Sequence, residues 1–172
     1  MKLLNKKKNL SSIISHFSFQ KGFTLIELLI VIAIIATLAA VVFVALNPAQ
    51  RFQDTRDARR VSDVNTILTA IHAAIVDNKG TLPTGLSTGM SEVQLGTAAS
   101  GCAVATGGCS VTGASCTDLT TSLAKYLKTI PIDPSLVSTS TKTNYSVVVD
   151  ANNIVTVKAC GKEGATNISV SR

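Results

Sequence analysis

Few residues of this chain could do chemistry, and their spacing is uneven. One carboxylate, Glu27, sits inside FQKGFTLIELLIVIAIIA, residues 19–36, a run that carries no other charge after Lys21. A carboxylate at bilayer depth is disfavoured by up to a few kcal/mol, less near the membrane surface than at its centre, so something must compensate it. Four cysteines, Cys102, Cys109, Cys116 and Cys160, follow much later. They show no C-x-x-C spacing and no nearby histidine, which sets zinc aside, and an even number in an exported segment favours two disulfides. Three pairings are open. The expected one joins Cys102 with Cys109 across a short glycine-rich loop and Cys116 with Cys160, tying a distant strand to the core. His16 and His72 lack an acidic or thiol partner at a spacing that would make a nucleophile and base, so no enzyme chemistry is legible. Arg51, Arg56, Arg59 and Arg60 form the candidate nucleic-acid patch. Asp54, Asp57 and Asp63 interrupt them, and a solvated helix face is the expected reading.

The elements that must position these residues follow from charge and periodicity. The net charge of +6 is local: Lys2, Lys6, Lys7, Lys8 and Lys21 precede Phe23 with no acid among them. The remaining eleven Lys and Arg face ten Asp and Glu, so the rest of the chain gives no electrostatic case for gripping phosphate backbones. Phe23 to Leu46 is a 24-residue apolar run. At roughly 36 Å as a helix it is long enough to cross a hydrocarbon core of roughly 30 Å, and too long for a secretory signal. The lysines upstream favour a cytoplasmic amino end. Pro48 predicts a kink or break. Beyond it Val61, Val64, Leu68, Ile71 and Ile75, with Ile67 and Ala74, recur at spacings of three and four, the pattern of an amphipathic helix stopped at Gly80. The two segments together suggest one long helix. Residues 81–116 read as a loop pinned by cysteines. Leu119, Leu123 and Leu127 predict a short helix with Thr117 as its cap, and NYSVVVD and IVTVKAC predict a hairpin turned at ANN. NISVSR suggests a further edge strand. The fold class is α+β: a long amino-terminal helix on a small antiparallel sheet.

Taken together, KGFTLIELLIVIAIIATLAAVV closely resembles the cleavage and methylation motif of type IV prepilins and type II secretion pseudopilins. The resemblance implies a leader, residues 1–22, a membrane and filament-core helix, residues 23–46, and an extracytoplasmic domain, residues 47–172. It implies that a prepilin peptidase and methyltransferase cuts between Gly22 and Phe23 and methylates the new amine of Phe23. Glycine at the cut suits close approach to the backbone. It further implies assembly with other copies of the chain and related pilins in a helical filament, driven by an inner-membrane assembly platform and an assembly ATPase. Glu27 would then be neutralised by the amine of a neighbouring subunit, the competing account being that it snorkels to the headgroups. YLKTIPIDPSL is similar to a segment of major pseudopilins that leads into a calcium loop. Asp133 and Asp150 are the calcium candidates here, but the aromatic-glycine pair and clustered acids of that loop are missing. No other cofactor is expected, and nucleic acid is not an expected partner. The alternatives are a minor pilin that binds DNA for uptake and a membrane-anchored protein outside any filament.

Overall fold

A computed structural model describes residues 22–135 and 137–172. His16 and the leader before Gly22 lie outside the described residues. The chain divides into two units, Met1–Leu46 and Asn47–Arg172.

In the first unit, helix α1 spans Leu25–Leu46 and buries none of its residues. It is long and apolar enough to cross a membrane. Its interior hydroxyl, on Thr37, donates back to the carbonyl of Ile34 at 2.8 Å, so that donor needs no partner from lipid.

The second unit begins where Asn47 takes left-handed backbone angles (φ 39, ψ 72) and Pro48 opens helix α2, Pro48–Asp77. Asparagine tolerates that region, and a proline in the first turn lacks only a donor that would have no partner anyway. The helix foreseen over this stretch is thus interrupted at Asn47, one residue before the predicted proline. It ends as its sequence predicts, with Gly80 at φ 89 donating to the carbonyl of Ile75 at 2.8 Å.

Four antiparallel strands form one sheet in the order β1 (Val93–Gln94), β2 (Tyr145–Val149), β3 (Val155–Ala159), β4 (Ile168–Ser171). The β2–β3 register sets Tyr145 opposite Ala159, Val147 opposite Val157 and Val149 opposite Val155. All six are fully buried, as a period of two on one covered face requires. Asn153 at φ 65 turns the predicted hairpin. Val64, Ile67, Leu68, Ile71 and Ala74 of α2 pack on this face, joined by Leu95, Leu119 and Leu123. Each large apolar side chain so buried contributes roughly 1.5–3 kcal/mol against exposure.

Three expectations are corrected. Val61 is 46 % exposed, and Arg60 takes the first place in the buried stripe, which runs 60, 64, 67, 71, 74. The predicted short helix is a single turn, α3 (Thr120–Leu123), where Asp118 rather than Thr117 accepts from the Thr120 amide at 2.8 Å. The disulfides are Cys102–Cys116 and Cys109–Cys160, not Cys102–Cys109 and Cys116–Cys160. The cause is a β-like fold-back inside the presumed loop. Val104 and Val111 exchange both backbone bonds, and the Cys102 amide donates to Ala114, so the flanking cysteines 102 and 116 are brought to the same end. The turn at Gly107 and Gly108 carries Cys109 to the end of β3. A side-chain carbon on Gly107 would lie 2.4 Å from the Cys160 carbonyl oxygen, so only glycine allows this approach.

Candidate processing and assembly site

At the start of α1, nothing among the described residues lies within 4 Å of where a side chain on Gly22 would project. Phe23 is 84 % exposed. The helix then begins with a reciprocal cap. The Thr24 hydroxyl accepts from the Glu27 amide at 3.3 Å, and Glu27 Oε2 accepts from the Thr24 amide at 2.9 Å and from its hydroxyl at 2.8 Å. This is a capping box, with the carboxylate also beside the positive end of the helix. Glu27 thus has a partner within its own turn, not only the neighbouring amine or headgroups that the sequence suggests, and T-x-x-E before an apolar run is the sequence signal for it. Both of Thr24's donors go to one oxygen; Oε1 receives no bond among the described residues.

In the second unit, Arg60 is the anchor. Its fully buried guanidinium donates to Asp133 through Nε (2.7 Å to Oδ2) and Nη2 (2.9 Å to Oδ1), and through Nη1 to Asp57 at 2.7 Å and Glu163 at 3.2 Å. Arg56 pairs with Glu163 through a second fork, with Nε at 2.6 Å from Oε1 and Nη2 on Oε2. Asp57 in turn accepts the backbone amides of Glu163 (3.1 Å) and Gly164 (2.7 Å). One guanidinium therefore ties α2 to the segment carrying Asp133 and to the β3–β4 connection. Gly161 permits this closeness, since a side-chain carbon there would lie 2.7 Å from an Asp133 oxygen. The Arg56 fork holds the Glu163 carboxyl down at about 2. Burial works against the charge on Asp57, yet the bonds from Arg60 and the two amides keep its carboxyl below the usual range. Burial is also the main force raising the Tyr145 phenol, whose hydroxyl donates to Asp63 at 2.7 Å.

The remaining predicted residues fall apart as a group. Asp133 is 2 % exposed and both its oxygens are committed to Arg60; Asp150 Oδ1 accepts the amides of Asn152 and Ile154, each at 2.8 Å, and stabilises the β2–β3 turn. These two calcium candidates serve different elements. The arginine patch does not assemble either: Arg60 is buried, Arg56 is taken by Glu163, and Arg59 lies 3.7 Å from Asp63. His72 Nε2 lies 3.2 Å from a backbone carbonyl, that of Arg172.

Residues 18–43 match the family model of the prokaryotic N-terminal methylation motif. The chain carries a prepilin-type amino terminus. Gly22, Phe23, Thr24 and Glu27 all fall inside that prepilin motif, which stops short of α2 and the sheet. Two curated relatives, both fimbrial proteins of Pseudomonas aeruginosa, are 45 % identical over 64 residues, covering 35 % of this chain and 38 % of each relative. The chain thus matches well under half the length of these relatives. No solved structure matches. Prepilin motif, apolar helix, four-stranded antiparallel sheet and two disulfides together make a type IV pilin-like α+β layout.

Proposed function

We propose that this chain is the precursor of a structural subunit of a type IV pilus-like filament or secretion pseudopilus. The observation that carries the reading is the start of α1: a Gly22 with nothing within 4 Å of its side-chain position among the described residues, a glutamate one turn on, and a 22-residue helix with no buried side chain, most of it inside the methylation motif, residues 18–43. A prepilin peptidase cuts after Gly22, removing the lysine-rich leader, residues 1–22, and methylates the amine of Phe23. Before assembly residues 23–46 hold the subunit in the cytoplasmic membrane with its amino end inside. Residues 47–172 stand on the other side, where their disulfides persist. In the filament the apolar helices exchange lipid for one another, and the amine of one subunit meets the Glu27 carboxylate of the next. The capping box is compatible with that contact, because it loads Oε2 and leaves Oε1 to receive the amine. Repeated head-to-tail, such a contact builds an open helical polymer. The assembly platform and assembly ATPase supply the work of extraction.

Mass spectrometry of the filament or membrane fraction tests the processing step: a chain beginning at methylated Phe23 is expected, and intact Met1 alone would overturn it. For the pairing step, Glu27→Ala subunits should be processed yet enter filaments poorly when co-expressed with the natural chain. Equal incorporation sinks the pairing.

A further inference from the structure

The second unit holds a cavity that the filament reading does not use. It lies between α2, the chain from Lys128 to Ile132 and the loop from Ser140 to Thr143, with a volume of about 410 Å³, the size of a small-ligand site. Its floor is rigid. The Thr143 amide and hydroxyl both bind the Leu95 carbonyl, at 3.1 and 2.7 Å, and the Asp133 amide binds the Thr143 carbonyl at 3.0 Å. Gly96, at φ 151, presses so closely on Thr141 that a side-chain carbon would lie 2.1 Å from its carbonyl oxygen. The walls are aliphatic, from Ile130, Pro131 and Ile132.

Two cations line it. Arg59 is placed by its neighbour in the chain: Arg60 is locked to Asp133, and Asp133 directly follows the wall residue Ile132. Its own charge is poorly met. The nearest carboxylate, on Asp63, is 3.7 Å away and already accepts the Tyr145 hydroxyl through the same oxygen at 2.7 Å. Lys128 makes no ion pair among the described residues. Thr129 and Ser140 line the same cavity, and their hydroxyls make no hydrogen bond among the described residues. A fixed apolar concavity with two underused cations and two hydroxyls suits an oxyanion on a compact hydroxylated body, the cations taking the charge and the hydroxyls the ring. The geometry points to a binding site for a small acidic sugar, a carboxylate or phosphate on a monosaccharide-sized frame, with Arg59 and Lys128 as its charge-reading residues. The site lies wholly in residues 47–172 and stands whether or not the chain forms filaments.

Calorimetric titration of the full chain in neutral-detergent micelles with glucuronate, glucose 6-phosphate and uncharged glucose tests this. Saturable binding of an anion, not shared by glucose, is expected, weakened about fivefold or more in Arg59→Gln and in Lys128→Gln and weakened again by added salt. Arg59→Lys should retain most of the affinity, and unchanged unfolding midpoints will show that the variants are folded. The tighter of the two anions assigns the head group as carboxylate or phosphate. Glucose binding as tightly as the anions, full affinity in the Arg59→Gln, Lys128→Gln double variant, or no saturable binding of either anion would each overturn the site.

Discussion

Arg59 and Arg60 are consecutive, chemically identical and opposite in fate, because one helical step of about 100° separates the solvent face from the core face. The Arg59 side chain is 62 % exposed against a single carboxylate; that of Arg60 is fully buried and meets three. Removing a buried partner leaves its counter-charges stranded, which costs about 3–5 kcal/mol, whereas an exposed pair contributes about 0–1. Arg60→Ala should therefore lower the urea-unfolding free energy by about 3–5 kcal/mol, and Arg59→Ala by less than about 1. Comparable losses would mean that the cluster does not anchor α2. Hydrophobic periodicity counts only apolar residues, so it places Arg60 on a solvated face. Its place in the stripe, four residues before Val64, was visible, but Asp133 and Glu163 are too remote in sequence to reveal that its charge would be met. Glu27 shows the reverse case, a partner three residues away and passed over. Thr24→Ala removes the cap and should cost about 1 kcal/mol at the helix start, seen as faster amide exchange at Leu25 to Glu27 in micelles.

Elements with a strong period were legible in the sequence and those held by distant partners were not. Helix α2, the β2–β3 hairpin and β4 follow from alternation and turn residues. Strand β1 has only two residues, too few to show a period, and exists because β2 offers it an edge. The fold-back around Gly107 is likewise set by its docking on β3, which is why nearest-neighbour cysteines proved the wrong guide. The true pairing orders the two crosslinks by strength. Cys109–Cys160 closes a separation of 51 residues and Cys102–Cys116 one of 14, and closure entropy grows with the logarithm of loop length. Replacing both members of the longer crosslink with Ala should cost about 1 kcal/mol more than replacing both members of the shorter, in the same unfolding assay. The longer crosslink also ends in the buried cluster with Val111, which works in the same direction.

At the scale of the whole molecule the two units answer to different solvents. The large apolar side chains exposed from Phe23 to Leu46 need lipid, detergent or a neighbouring helix, while the second unit carries its own core. Acid should separate them, because the helix has no titrating group beyond Glu27, whereas the second unit is closed by a cluster that must stay ionised. Glu163 is held at about 2 against an ordinary 4.5, and Asp57 is held below 3.8. A carboxyl depressed on folding adds stability that is complete above its unfolded value and lost as pH falls towards the folded one. The stabilisation from this cluster should therefore be level above pH about 5 and decline between pH about 4.5 and 2. Arg56 and Arg60, the cations facing these carboxyls, stay charged throughout, so protonation leaves like charges opposed on α2. Urea-unfolding midpoints measured along that range should fall, and the fall should be shallower in Glu163→Gln, which starts lower and has one fewer proton to take up. A variant with the same steepness as the natural chain would place the acid-sensitive groups elsewhere. Far-ultraviolet circular dichroism in micelles should meanwhile keep the helical signal of α1 after the second unit has melted.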